Sequence, residues 1–210
     1  MVTEVFVKKY DNFPVNEREV LRYAGCAGVS HDDAMYSVLQ ECIKEASAPG
    51  VCSFLICYRI VPVTITGGNQ IDFDILSTVS DDLAGCLKDC SEAVLLSATI
   101  GYGIDRIIGR YNRVNPAKAL FMQAIGAERI ESMLDAFCKE LPEIVASITQ
   151  REKVVARPRY SPGYGDLPLA IQPDFLRVTN ATNRLGITLN DSLLMAPSKS
   201  VTAIVGIVNC

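Results

Sequence analysis

Two runs of apolar and β-branched residues, 51–61 and 93–100, constrain the fold more than any other part of the sequence. Each is almost continuously apolar and of strand length, so we expect two strands that are covered on both faces. Helical periodicity fills most of the chain between and after them, and two further strands are predicted over 187–195 and 201–208 as a C-terminal strand pair. We therefore predict an α+β fold: one domain over 1–210, with a mixed or antiparallel sheet and flanking helices.

Residues that favour helix ends predict where the helices begin and end. We predict N-caps at Asn16, Ser30 and Ser80, and a first helical position at Pro116. Pro142 is expected to kink or divide the long helix that follows. The remaining predicted elements are a helix that stops at Pro49-Gly50, a hairpin between 63–66 and 70–73, and a last helix over 174–185 that ends at Gly186.

Charge and hydropathy exclude several classes of protein. The chain has 20 Lys and Arg against 24 Asp and Glu, for a net charge of -4, which argues against a nucleic-acid partner. The longest apolar stretch, 51–60, is too short to span a membrane and contains Arg59. The N-terminus lacks the cationic and apolar regions of a secretory signal. We therefore expect a cytoplasmic protein with no membrane partner.

Eight cysteines and one histidine bear on metal and redox chemistry. No CxxC is present, and in the cytoplasm we expect the cysteines to be reduced and mostly packed as small apolar residues. A four-thiolate metal site from Cys52, Cys57, Cys86 and Cys90 stays open as a minor alternative. His31 lies beside a predicted helix start, where a surface or capping role is expected, and the terminal Cys210 is expected to be exposed.

The segment 158–173 differs from the rest, because it holds four of the ten prolines of the chain. Pro162-Gly163 is the preferred central pair of a type II turn, which would bring Ser161 and Tyr164 together. Arg159 stands just before the turn, and an Arg fork can hold a carboxylate, while a Tyr ring can lie against a cation. The segment is predicted either to hold an amino-acid-like ligand that also carries a positive centre, or to be a rigid loop with a structural Arg.

The order of motifs from this loop onward resembles one family. RPRYSPGYGDLPL (157–169), then a helix, then LNDSLLMAPSKSVTAIVGI (189–207) is similar to the activation, or reactivation, domain of cobalamin-dependent methionine synthase. A weaker likeness extends through 86–111 and 127–141, and residues 1–80 resemble the small free-standing forms of that domain. The residues that match are Arg159, Pro162, Gly163 and Tyr164, then Leu189, Asp191, Ser192, Met195 and Pro197, then Ser200, Val201 and Thr202.

This resemblance implies a function and a site. The chain would bind S-adenosylmethionine and support reductive remethylation of the cobalamin that a partner holds, either a methionine synthase lacking this domain or another corrinoid protein. A flavodoxin or ferredoxin would donate the electron. Arg159 would hold the ligand carboxylate, the backbone of Ser161 and Gly163 would face the ligand, and Tyr164 would pack on it.

The resemblance leaves the acidic part of that site open. Asp135 is the closest match to the acidic residue of the long helix, with Glu128 and Glu131 as rivals. A second acidic residue near the N-terminus has no assigned counterpart, and Val205 stands in place of a late tyrosine. No catalytic constellation is visible, so the chain is expected to be non-catalytic alone. The alternatives are a docking module for a corrinoid protein or methyltransferase complex that binds no S-adenosylmethionine, and a metal or redox protein.

Overall fold

A five-stranded antiparallel sheet forms the centre of the protein, whose computed structural model describes residues 4–28, 30, 33–152 and 154–209. Its strands span Phe6–Tyr10 (β1), Phe54–Pro62 (β2), Glu92–Thr99 (β6), Val154–Ala156 (β7) and Ser200–Asn209 (β10). The strand order is β1-β2-β6-β10-β7, and every neighbouring pair is antiparallel.

The two apolar runs seen in the sequence form β2 and β6, which pair along eight residues in the middle of this sheet. Alternate residues of β6 enter different apolar clusters: Val94 and Leu96 enter one, and Ala93 and Leu95 enter the other. Both faces of these strands are therefore covered, as predicted. In a strand whose successive residues are nearly all apolar, both faces are apolar and both are stabilised by burial.

Four helices cover the first face of the sheet: Glu17–Tyr23 (α1), Ala34–Ala46 (α2), Gly103–Tyr111 (α4) and Pro116–Thr149 (α5). The side chains of Phe121 and Phe137 from α5 are fully buried in the cluster on this face. Of the two effects predicted for Pro142, a kink or a division, the division is wrong, because the 34-residue helix α5 runs through this proline without a break. Within the described ranges, no helix is both long enough and apolar enough to cross a bilayer.

Smaller elements cover the second face. They are a three-stranded sheet of Thr64–Thr66 (β3), Gln70–Asp72 (β4) and Ser77–Val79 (β5), and the helices Asp81–Cys86 (α3), Gln172–Val178 (α6) and Ala181–Leu185 (α7). The predicted hairpin is confirmed as β3 and β4, which pair with Thr66 opposite Gln70. Ser80 caps α3 as predicted, with its hydroxyl accepting from the amide of Leu83 at 3.0 Å.

Two helix predictions need correction. The N-cap of α2 is Asp33 rather than Ser30, because the Asp33 carboxylate accepts from the amide of Met35 at 2.9 Å. The last helix is two helices, because Asn180 adopts a left-handed conformation with φ of 54° between α6 and α7. The predicted end at Gly186 is confirmed, with φ of 70°.

The predicted pairing of two C-terminal strands is wrong, although the strand predicted over 201–208 is confirmed as β10. Residues 187–195 do not form one strand, because the Asn190 side chain accepts from the amides of Ser192 and Leu194, both at 3.0 Å, and folds this segment into a turn. Only Thr188–Leu189 (β8) and Met195–Ala196 (β9) pair with each other. The following strand, β10, instead lies between β6 and β7. Its long apolar run is therefore flanked by a paired strand on each edge.

Candidate functional site

The turn at 161–164 forms as the sequence predicts. The amide of Tyr164 donates to the carbonyl of Ser161 at 3.1 Å, and Gly163 has φ of 85°, which a side chain would disfavour. The amide of Gly163 donates to the carbonyl of Leu167 at 2.9 Å. Among the described residues, the Ser161 amide and the Gly163 carbonyl have no such partner, so these two backbone groups keep their hydrogen-bonding capacity for a ligand or for water.

The segment before the turn is fixed to β10. The amide of Tyr160 donates to the carbonyl of Ile204 at 2.8 Å, and the amide of Ile204 donates to the carbonyl of Tyr160 at 2.7 Å. The Tyr160 ring packs against the apolar cluster of the second face. Because side chains alternate along an extended chain, Arg159 is turned to the other side, toward α5.

Arg159 lies against two carboxylates of α5. Its Nη2 donates to Glu131 and lies 3.1 Å from Oδ1 of Asp135. Its Nη1 is buried and has no hydrogen-bond partner among the described residues. The thiol of Cys138 is close to the guanidinium, and burial raises the pKa of this thiol although the Arg159 charge opposes the rise. The arginine thus keeps one donor nitrogen for a further acceptor.

An acidic cavity of about 250 Å³ lies beside this pair, between α1 and α5. Its wall contains the carboxylates of Glu19, Glu128, Glu131 and Asp135 and one cation, Arg22, which is paired with Glu19 at 2.7 Å. The other lining residues are Asn16, Tyr23 and Ser132. Arg22 pairs with Glu19, and Arg159 pairs with Glu131 and Asp135 from outside this wall, so Glu128 is the carboxylate left to face a ligand group that carries positive charge.

Glu128 is the most buried member of this cavity, with 1% of its surface exposed. Its Oε1 accepts from the amide of Asn16 at 3.2 Å and from the hydroxyl of Ser132 at 2.6 Å. Its Oε2 is buried and has no partner among the described residues. A buried carboxylate oxygen without a donor is costly, so this atom is a point at which a cationic N–H group would be stabilised.

Tyr164 does not share this cavity. It is 72% exposed, and its ring meets the Tyr160 ring edge-on with centroids 5.8 Å apart. The Tyr160 hydroxyl donates to the Tyr164 carbonyl at 3.2 Å. In the part of the chain that the structure describes, no hydrogen bond or ring contact joins Tyr164 to Arg159, so the predicted site residues form two groups: Arg159 with Asp135, and Ser161 and Gly163 with Tyr164.

The acidic residues of α5 that the sequence offered as rivals all belong to one wall. Glu128, Glu131 and Asp135 are spaced three and four residues apart, which places them on one face of a helix. The contribution of Asn16 and Glu19 from α1 was not predicted. Glu19 was detectable only as a carboxylate in the first turn of a helix, a feature typical of many surfaces.

Among the described residues, no group of three or more His, Cys, Asp or Glu side chains is placed to hold an ion. The seven described cysteines are free, and burial raises the pKa of Cys42 to about 11 and that of Cys57 to about 12. Helix α3 ends at Cys86, so Cys86 and Cys90 do not share a helical face. His31 and Cys210 lie outside the described residues.

Comparison with known proteins gives a fold but no family. No model of a known protein family matches the chain, and no curated protein matches its sequence. Among solved structures, the MetH reactivation domain bound to AdoHcy (S-adenosylhomocysteine) matches with a TM-score of 0.68 and 12% sequence identity, covering 97% of this chain and 78% of that chain. At this identity the match shows that the two chains share an α+β fold.

Proposed function

We propose that this chain binds S-adenosylmethionine through the acidic cavity and Arg159, and acts as a reactivation protein for a cobalamin-dependent methyltransferase. The observation that carries the proposal is one unpaired donor and one unpaired acceptor close together: the buried Arg159 Nη1 lacks an acceptor, and in the neighbouring cavity the buried Glu128 Oε2 lacks a donor. An α-amino acid with a sulfonium group offers one carboxylate and two positive centres, which complements this arrangement.

The size of the cavity decides which part of the ligand it takes. A cavity of about 150 Å³ holds one benzene molecule, so the 250 Å³ beside Arg159 fits the amino-acid part of S-adenosylmethionine and leaves the adenosine part outside. The free amide of Ser161 and the free carbonyl of Gly163 are a backbone donor and acceptor for that outer part. The fold shared with a domain solved with AdoHcy supports the same ligand class.

The residues of this chain have only to bind and orient the methyl donor. The cobalamin of the partner supplies the methyl-accepting centre, with an electron from a flavodoxin or ferredoxin. Arg159 would hold the carboxylate, and Glu128, Glu131 and Asp135 would face the ammonium and sulfonium groups. This division of labour would need no catalytic group from this chain, and we infer that the chain is non-catalytic alone.

The first experiment is calorimetric titration of the protein with S-adenosylmethionine. An Arg–carboxylate contact contributes about 1.5–3 kcal/mol, so Arg159→Ala should weaken binding by roughly ten- to a hundredfold. Arg157→Ala is the matched control, because Arg157 is exposed, lies two residues away and contacts Cys90 instead of α5. If the folded protein binds no S-adenosylmethionine, the ligand proposal is wrong.

A second assay tests the role in a methyltransferase system. The protein is added to a methionine synthase lacking a reactivation domain, with its cobalamin oxidised to the inactive state and a reductant present. Methionine formation should recover only when S-adenosylmethionine and the protein are both added, and Arg159→Ala should need roughly ten- to a hundredfold more S-adenosylmethionine than wild type. The alternative is a docking module that binds no S-adenosylmethionine. One observation favours it: Nη2 of Arg159 is already paired with Glu131 and Asp135. It predicts recovery that is the same for wild type and the variant.

A further inference from the structure

A second cavity is lined by a residue of α5 that does not line the acidic one. It has a volume of about 210 Å³ and is lined by Asp11, Asn12, the loop 46–50, Cys52, Phe54 and Arg129. It shares no lining residue with the acidic cavity. Arg129 is its only cation among the described residues, and it follows Glu128 directly in the sequence, so neighbouring residues of α5 place opposite charges in two separate cavities.

Arg129 is a buried cation with an incomplete set of partners. Only 3% of its surface is exposed. Its Nη2 donates to Oδ1 of Asn12 at 2.9 Å, and that oxygen also accepts from the amide of Phe13 at 2.8 Å. Its Nη1 is buried without an acceptor, and no carboxylate forms an ion pair with Arg129 in the described part of the chain.

The surroundings hold the guanidinium in place and raise the cost of its charge. Arg129 lies over the Phe54 ring, 5.0 Å from the centroid, which fixes the plane of the group. Burial lowers the pKa of Arg129, although the charge of Glu128 opposes this. A buried guanidinium with a free donor gains most from an anionic acceptor, and a planar fork is suited to a carboxylate.

The remaining wall limits the ligand. Ala46, Ala48, Pro49 and Phe54 give it apolar surface, which a bare inorganic anion would not use. A volume of 150 Å³ takes the six heavy atoms of benzene, so 210 Å³ suits about eight. Asp11, which is exposed in this wall, disfavours an anion with several charges and would suit an ammonium group.

We propose that this cavity is a binding site for a small organic monocarboxylate with a carbon chain of about five atoms. The ligand carboxylate binds the Arg129 guanidinium, and its chain lies on Phe54 and the loop 46–50. Both a simple fatty acid and an α-amino acid present this chemistry. The site is independent of the proposed S-adenosylmethionine cavity, so either proposal can fail without the other.

The test uses valerate and L-norvaline as probes, with valeramide as the uncharged control. Binding is followed by the NMR signal of the Arg129 side chain and by calorimetry. The proposal expects saturable, millimolar binding of at least one carboxylate and at least tenfold weaker binding of valeramide. Absence of saturable binding of both carboxylates at concentrations up to about 20 mM, or equal binding of valeramide, overturns it.

Variants locate the binding without disturbing the buried arginine. Ala48→Trp fills the cavity from an exposed position of its wall and should weaken binding at least tenfold, whereas Ala27→Trp, at an exposed alanine outside the wall, should not. Equal binding by wild type and Ala48→Trp overturns the assignment. Asp11→Asn shows which of the two ligand classes, a simple fatty acid or an α-amino acid, the cavity takes. Weaker binding of L-norvaline with unchanged binding of valerate supports an amino acid, and unchanged binding of both probes supports a simple acid.

Discussion

The side chains of Arg159 and Asp135 meet across the gap between the extended segment before the 161–164 turn and the middle of α5, with Nη2 3.1 Å from Oδ1. Twenty-four positions separate them in the sequence, and two independent features bring them together. Pairing of Tyr160 with Ile204 fixes one side, and packing of α5 on the sheet fixes the other. The contact therefore depends on the fold as a whole rather than on a local motif.

The carboxylates beside Arg159 should distinguish S-adenosylmethionine from S-adenosylhomocysteine. Only the former carries a sulfonium charge, so removing one nearby negative charge with Asp135→Asn should weaken its binding by about 1 kcal/mol, or roughly fivefold. Binding of S-adenosylhomocysteine should change less. Calorimetry with both ligands measures this difference, and Glu143→Gln, at an exposed position of the same helix, is the control. Equal losses for the two ligands would contradict the placement of the sulfonium.

The start of α4 requires glycine for reasons of space. A Cβ on Gly103 would overlap the carbonyl of Val51, a backbone group that cannot rotate away. We expect Gly103→Ala to lower the free energy of unfolding by about 2 kcal/mol or more. In the same helix, Gly109 faces open space, so Gly109→Ala should raise the free energy of unfolding by about 0.5–1 kcal/mol. Urea denaturation of the two variants measures this contrast, and a loss shared by both would refute it.

Proline inside α5 should lower stability. Pro142 cannot donate to the helical carbonyl four residues earlier, and α5 continues past it for seven residues. Replacing it with alanine should raise the free energy of unfolding by up to about 3 kcal/mol. Pro116, at the first position of the same helix, has no such bond to restore, so Pro116→Ala should bring no comparable gain. Thermal unfolding tests this, and a Pro142→Ala protein no more stable than wild type would show that α5 has adapted to its proline.

Asp166 should make stability depend on acid. The pKa of this carboxyl is lowered from its ordinary value of 3.8, first by the Ser80 hydroxyl and then by the amides of Asp81 and Asp82. A carboxyl whose pKa is lower in the folded state stabilises the protein above pH 3.8, and this contribution is lost as the pH falls through the lower, folded-state value.

Asp166→Asn should therefore be less stable than wild type at pH 7, and the difference should shrink as the pH is lowered below 3.8. Urea denaturation across this pH range measures the effect. Asp191→Asn, at an exposed position of the β8–β9 turn, is the control and should behave as wild type. If the difference in the free energy of unfolding between the two proteins stays constant with pH, the effect of Asp166 does not depend on ionisation of its carboxyl group.

Local signals predicted the elements that local chemistry controls. The apolar runs of β2 and β6, the cap at Ser80, the Pro162-Gly163 turn and the stop at Gly186 all depend on residues close in sequence. The same reasoning failed for 187–195, because β propensity does not show that one Asn190 side chain ends the strand. The short edge strands β1 and β7 were missed, since β1 contains two lysines, β7 has only three residues, and both depend on pairing with another strand of the sheet.

The turn at 161–164 was predictable from the sequence, but the arrangement of the candidate site residues around it was not. The order of Arg159, Ser161, Gly163 and Tyr164 is local, and the turn they form was predicted. The separation of Arg159 from Tyr164 depends on which face of the sheet each side chain meets, and that is set by pairing with β10. The choice among the acidic residues of α5 required knowing that α1 packs against that helix and closes the cavity.

The central claim is that Arg159 holds the carboxylate of S-adenosylmethionine. The most direct test compares the binding of S-adenosylmethionine with that of its decarboxylated form, in wild type and in Arg159→Ala. The account predicts that wild type prefers the complete ligand by roughly ten- to a hundredfold and that Arg159→Ala binds both ligands equally, because the lost group and the lost side chain are partners. A preference for the carboxylate that persists in Arg159→Ala would contradict the account, since another group of the protein would then hold it.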